Sequence, residues 1–320
     1  MTITFKGVGE AGLALLQDAW KVYITLLKVM VPALIVVKAL DMVGGTEWLA
    51  QMLSPLMQLV GLPEQMGLVW ATAILTNIYT ALVVFFDVAA GQDLSVADVS
   101  VLGILLLVAH SLPIEGAVAK MTGVSWRITV PLRLVGGFVL AAIVNQVYQA
   151  GDWQQQPAVI LWQPEQQSAA LSDWVLNQAS ILATIFFIIA GLMLLLRVLR
   201  LIGIEALMQK MLSPLLRSLT IGKEATNVTI IGLTLGLSFG AGLLIDEAKS
   251  GNIGKRDILL SVCFLGLAHS LIEDTLLILL IGADITSILW GRLLFAIVVI
   301  AAMARLVPRD TLPVSKVSLS

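Results

Sequence analysis

Long apolar runs alternate along the chain with short polar turns, and the order of runs and turns recurs. Ala19 to Leu40 is the first run. At about 1.5 Å per residue it is long enough to cross a hydrocarbon core of about 30 Å. Lys21, Lys28 and Lys38 interrupt it. The outer two can snorkel to the interface, and Lys28 is expected to face protein. Thr46 to Val60 is mixed and contains Pro55, which reads as an interfacial helix or one arm of a hairpin, and Glu205 to Leu219 has the same character. Gly67 to Phe86 is apolar but carries Asn77, Tyr79 and Thr80, while Thr226 to Ile245 carries Thr234 and Ser238 on a glycine-rich background. Val99 to Met121 and Ile258 to Ala283 are the next pair, followed by Ile128 to Val147 and Ile285 to Ala304 with one arginine apiece, Arg133 and Arg292.

A shift of 159 positions superposes the two series without a gap. It aligns Ala109-His110-Ser111-Leu112 with Ala268-His269-Ser270-Leu271, and Met52-Leu53-Ser54-Pro55-Leu56 with Met211-Leu212-Ser213-Pro214-Leu215. It also pairs Gly44 with Gly203, Asp87 with Asp246, Asp98 with Asp257, Glu115 with Asp274, Gly123 with Gly282, and Arg133 with Arg292. The chain is an internal duplication whose period is too long for a solenoid unit of about 20 to 50 residues. Residues 1–148 and 175–306 form the halves, 149–174 a polar linker rich in Gln and Trp, and 307–320 a polar tail.

Composition turns these runs into membrane spans. Hydrophobic residues make up 58% of the 320, charged residues 12%, and mean hydropathy is +0.97, which leaves too little polar surface to cover a soluble globule. A net charge of -2 provides no basic stripe for nucleic acid. The chain carries no phosphate loop, CxxC pair or HExxH helix, so the expectation is a protein that is not an enzyme and needs no cofactor. The single cysteine, Cys263, reads as a small buried hydrophobe. Met1 to Trp20 lacks the continuous apolar core of a cleaved signal peptide and is expected to remain in the mature protein.

The distribution of positive charge sets the expected orientation. No Lys or Arg occurs from Ala39 to Ala119 or from Leu134 to Leu196, whereas Lys120 with Arg127, Arg197 through Lys223, Lys249 through Arg256, and Arg305 with Arg309 form basic groups. The linker is then periplasmic and both termini cytoplasmic. That requires an odd number of crossings per half and opposite topologies for the two halves. Three spans with one or two re-entrant pieces satisfy this, and so do five spans. The expected fold is an all-α polytopic membrane protein of two homologous halves in an inverted-topology repeat, with broken or re-entrant helices.

Polar groups at membrane depth are costly and usually face a bundle interior or a cavity. His110 and His269, the two histidines of the chain, each lie 11 residues into their runs. That is about 16 Å along a helix, roughly half the hydrocarbon core. His269 and Glu273 are four apart and would share a helical face, with Asp274 beside them, while Pro113 precedes Glu115 in the first half and can break the helix. A central substrate site is expected from His110, Ser111, Glu115, His269, Ser270, Glu273 and Asp274, lined by Asn77, Tyr79, Thr234 and Ser238. Gly232, Gly236 and Gly240 recur every four residues, which fits either close helix packing or a broken, solute-lining helix. The competing structural reading pairs Glu115 with Lys120 or Arg133, and Asp274 with Arg292. Adjacent buried acids such as Glu273 and Asp274 disfavour a double charge, so a coupling proton, shared with His269, or a sodium ion at the same oxygens fits the pattern. No metal is assigned: two histidines on separate halves, without a second ligand signature, are weak support for a metal-dependent hydrolase.

The duplicated halves, each with an SPL turn, an Asn-bearing or glycine-rich segment and a buried AHSL with an acid nearby, resemble the nucleoside recognition or Gate domain family. That family includes spore maturation membrane proteins, the pore region of ferrous-iron permeases and a part of concentrative nucleoside transporters. The resemblance covers roughly residues 15–148 and 175–306. It implies an inner-membrane transporter or permease unit for a small polar solute, nucleoside-like or ionic. The chain departs from iron permeases in lacking a GTPase domain and a cysteine pair, and it is shorter than the nucleoside transporters. The alternative is a non-transporting membrane subunit that assembles with a partner protein or with copies of itself.

Overall fold

The computed structural model describes residues 5–308 except 90, 161–170, 220, 236 and 252, and within helices it leaves out the side chains of 5–11, 205 and 235–242. All regular elements among the described residues are helices. Most of the linker's second half and the tail lie outside them.

The first half comprises α1 (Phe5–Met42), α2 (Gly45–Leu59), α3 (Met66–Leu75), α4 (Ile78–Val88), α5 (Val96–Val108), α6 (Leu112–Met121) and α7 (Trp126–Gly151). The second comprises α8 (Leu171–Leu201), α9 (Ile204–Ser218), α10 (Lys223–Leu235), α11 (Leu237–Ser250), α12 (Lys255–Ala268), α13 (Glu273–Leu279) and α14 (Arg292–Leu306), the last entered through a π-helical turn, Thr286–Gly291. Shifted by 159, α2 coincides with α9 residue for residue, and Gly44, Ser111 and Gly123 share positive φ with Gly203, Ser270 and Gly282. The duplication in sequence is thus a duplication of elements, turn by turn.

Among the described residues, six segments are long and apolar enough to cross a membrane: Gly12–Met42, Val96–Met121, Trp126–Gly151, Leu171–Leu201, Lys255–Leu279 and Thr286–Leu306. The pair Val96–Met121 and Lys255–Leu279 is 72% buried, against 17 to 33% for the other four, so this pair forms the centre and the others surround it. The outer helices turn apolar stripes outward; on α7 the exposed Val135, Val139, Ile143 and Val147 recur every four residues. In water that stripe would be a liability, and in lipid it is the solvated face.

Both central segments and the segments beside them are interrupted. Gly67 to Phe86 is not one helix: α3 ends at Leu75, and Asn77, in extended conformation, restarts the chain as the N-cap of α4 by accepting from Thr80 N. The two pieces fold back on each other, since Gln65 at the start of α3 and Asp87 at the end of α4 line one cavity. α10 and α11 pack together in the same way. In the central pair, α5 and α6 are separated by Ala109, His110 and Ser111, and α12 and α13 by residues 269–272. Pro113 explains the first break, because its ring displaces the carbonyl four residues back and its missing N–H is harmless in the first turn of α6. The second break has no proline. It is held by tertiary contact, Leu271 N donating to Leu233 O at 2.9 Å, as Ser111 N donates to Ala73 O at 2.8 Å. Backbone groups freed by each break therefore find partners in the neighbouring broken segment, which the membrane interior requires.

The centre is tightly packed. A Cβ built on Gly103 of α5 would collide with Ile278 Cγ2 and lie 3.5 Å from Ile288 Cγ2. Gly103→Ala is expected to destabilise the fold by about 1–3 kcal/mol, and its loss combined with that of Ile278→Ala is expected to be smaller than the sum of the two single losses. A double-mutant cycle by unfolding in mixed micelles checks this; strict additivity would mean the two segments are not in contact.

The linker ties the ends together. Val96 N donates to Gln156 O at 2.9 Å, Ala158 N to Leu94 O at 2.8 Å, and a Cβ on Gly282 would lie 2.9 Å from Val159 O. Tyr148 at the end of α7 donates to Asp284 Oδ2 at 3.0 Å, and Asp284 N donates to Ser100 Oγ at 2.7 Å. The start of α5 and the turn after α13 thus meet at one end of the bundle. At the start of α12, Arg256 donates to Ala304 O at 2.7 Å and Val307 O at 3.1 Å, both at the end of α14.

Candidate functional site

The two central breaks face each other. Each AHSL quartet places its histidine past the end of a helix and its serine in left-handed conformation, with φ 49° at Ser111 and 47° at Ser270. Such φ values in non-glycine residues are strained by about 1–3 kcal/mol and persist where the surroundings impose them. Here Ser111 Oγ donates to Thr76 O at 2.8 Å, anchoring the turn to the break between α3 and α4.

The turns bring the imidazoles of His110 and His269 together, with Nε2 atoms 3.2 Å apart and ring centroids 4.9 Å apart. Both rings are buried, at 5% and 2% exposure. Nδ1 of His110 lies 2.7 Å from Leu106 O, and Nδ1 of His269 lies 2.9 Å from Leu265 O, residues that are themselves 159 apart. Glu115, in the first turn of α6, sets Oε1 3.4 Å from His110 Nε2 and 3.3 Å from His269 Nε2. Asp274, in the first turn of α13, sets Oδ2 at 3.7 and 3.9 Å from the same two atoms. Acids in a first helical turn sit at the positive end of the backbone dipoles.

The two halves differ in how they handle their arginines. Arg133 pairs with Glu115 through Nη1, donates from Nε to Val108 O at 2.7 Å and from Nη2 to His110 O at 2.9 Å, and so closes the end of α5 onto the start of α6. Of the two expected partners for Glu115, it is Arg133 rather than Lys120. The expected pair of Asp274 with Arg292 does not form among the described residues. Arg292, with 0% exposure, donates from Nη2 to Thr275 Oγ1 at 3.2 Å, and no hydrogen bond among the described residues reaches its Nε or Nη1, or Asp274 Oδ2.

Other expected site residues divide. Glu273 does not share a helical face with His269, because the break lies between them; it accepts from Tyr79 OH at 2.8 Å, a contact across the two halves. Asn77 uses its side-chain oxygen to cap α4. Thr234 is turned back on its own helix, donating to Ile230 O at 2.9 Å. Ser270 is buried within the second turn, and the side chain of Ser238 lies outside the described residues. Gly232 sits against Leu265, whose Cδ2 would be 2.7 Å from an added Cβ, which is close packing of α10 on α12. Sequence reasoning left Arg133, Thr275 and Thr76 out of the site. For Arg133 the signal was present in its register with Arg292.

The fold and this buried constellation define an all-helical, multi-pass membrane protein with a polar centre. The chain is similar to the uncharacterized membrane protein YvoD of Bacillus subtilis (strain 168), with 28% identity over 307 residues that cover 93% of this chain and 95% of that protein. No family model matches the chain. No solved structure matches it either.

Proposed function

We propose that the protein is an inner-membrane permease unit, of the kind the Gate-domain resemblance implies, that binds a small polar solute or ion where two inverted repeats meet. The observation that carries the reading is the contact of His110 with His269, equivalent residues of the two halves, at 3.2 Å among interrupted helices. Broken helices meeting at a repeat interface are how secondary transporters build a site near the bilayer midplane. A set of groups that maps onto itself under the repeat, His110 with His269 and Glu115 with Asp274, is what a pseudo-two-fold axis between the rings would produce. Opposite directions for the halves are supported by the linker: residues 157–159 touch the beginning of one central segment, at Leu94 and Ser95, and the end of its equivalent, at Gly282.

In this reading each half contributes three crossings and one re-entrant hairpin, α3 with α4 or α10 with α11. The linker is periplasmic and both termini cytoplasmic. A reporter fused after Gln163 is expected to read out as periplasmic and one after Ser320 as cytoplasmic. Both on the same side would overturn the inverted repeat. Solute uptake into proteoliposomes tests the permease itself; stable co-purification of a second chain with no flux of any solute would favour the subunit reading.

A further inference from the structure

We propose that His110, His269, Glu115 and Asp274 bind one divalent first-row transition-metal cation, such as Zn2+, between the two imidazole Nε2 atoms. This names the ligand class of the site proposed above and rests on that reading for the site's role; its chemistry comes from the ring orientations. A backbone carbonyl can only accept, so Nδ1 of each ring, 2.7 Å from Leu106 O and 2.9 Å from Leu265 O, carries the hydrogen. Each neutral ring then presents a lone pair at Nε2, and the two lone pairs face each other across 3.2 Å. Glu115 Oε1, at 3.4 and 3.3 Å, and Asp274 Oδ2, at 3.7 and 3.9 Å, are also acceptors. Four acceptors around one point repel one another unless a cation lies among them.

The spacing fits a metal ion. Metal–nitrogen bonds of about 2.0–2.1 Å at tetrahedral angles put ligand atoms about 3.3–3.4 Å apart, close to the separations here. Donor atoms of His110, His269 and Asp274 lie within 4.8 Å of one another. Anchoring each Nδ1–H on a carbonyl while Nε2 points inward is the arrangement that metal-ligating histidines use, and Arg133 orients Glu115 by holding its other oxygen. Two imidazoles with carboxylates select first-row transition ions over Mg2+ and Ca2+, which prefer oxygen alone. Arg292 faces this group from α14, and Glu273 is engaged by Tyr79. A proton shared by the rings would satisfy one line of contact and leave Asp274 Oδ2 without a donor, whereas a metal ion draws on all four groups.

The test uses tag-free full-length protein in detergent, loaded with Zn2+ and, in parallel, titrated with Co2+. Both histidines of the chain belong to this cluster, so any imidazole seen around bound Zn2+ by X-ray absorption comes from it. One ion per chain with two imidazole ligands is expected. His110→Ala, His269→Ala and Asp274→Asn are each expected to weaken Co2+ binding by about 100-fold or more, beyond the cost of losing an outer-shell partner. No stoichiometric ion on the folded wild type, or a bound ion without imidazole, overturns the proposal and assigns the pair to a shared proton; this holds even if no variant folds. Uptake in proteoliposomes is measured separately. A metal bound by two imidazoles with no flux of any solute sustains the site and overturns the permease reading, while solute flux without metal binding does the reverse.

Discussion

Arg133→Ala is expected to cost about 3–5 kcal/mol of stability, the range for removing one partner of a buried ion pair. Three acceptors depend on this one side chain, which is 3% exposed: the Glu115 carboxylate and the carbonyls of Val108 and His110. Those carbonyls lie where α5 stops, so they have no intrahelical donor, and in an apolar interior no water replaces the guanidinium. Arg133→Lys restores a charge but not the planar fork, and is expected to recover only part of the loss. Unfolding in mixed micelles, followed for wild type, both variants and Arg133→Ala with Glu115→Gln, separates the ionic share from the carbonyl share. A loss below about 1 kcal/mol for Arg133→Ala would mean that the pair behaves as an exposed one and that α5 and α6 are not held together through it.

What could be read in advance follows from the distance over which each constraint acts. Crossing a bilayer demands long apolar windows, so the spans and their duplication were visible in the sequence, down to the shared glycine turns at Gly44 and Gly203. Broken helices were expected and Pro113 marked one of the breaks, but the positions of the other interruptions inside apolar runs were not legible, because the groups that compensate them come from other segments. Gly67 to Phe86 reads as one run, and only the Thr76-Asn77 pair, an N-cap signal within it, marks the fold-back. The break at His269 has no proline, and its support, Leu233 O, is far away in sequence. That break undid the expected face shared by His269 and Glu273. It left the shared depth of the two histidines as the usable clue, and that clue pointed to a site without revealing that the rings touch, since a separation of 159 residues has no local period. Thr234, another polar residue at depth, donates its hydroxyl to a carbonyl of its own helix.

Replacing Asp274 by Leu together with Arg292 by Met is expected to stabilise the fold, by about 1–4 kcal/mol, while abolishing binding at the centre. The equivalents of these residues, Glu115 and Arg133, are joined; Asp274 and Arg292 are not. Asp274 Oδ2 points at the imidazoles, and Arg292 reaches Thr275 with one nitrogen while its Nε and Nη1 meet no acceptor among the described residues. Both side chains are ionisable groups in a low-dielectric interior with incomplete hydrogen bonding, so an apolar pair of similar volume removes a desolvation cost that native contacts do not offset. Arg292→Met alone is expected to be less stable than the double variant, because it strips the nearby positive charge from a buried carboxylate. The order double variant, then wild type, then single variant is therefore the expected result in unfolding experiments. A double variant less stable than wild type would show that Asp274 and Arg292 hold the second half together as Glu115 and Arg133 hold the first, and would remove the asymmetry on which a dedicated binding role for Asp274 depends. The expected order is the signature of a site kept at the expense of stability, with the acid of one repeat tied to its arginine and the acid of the other held apart from its own.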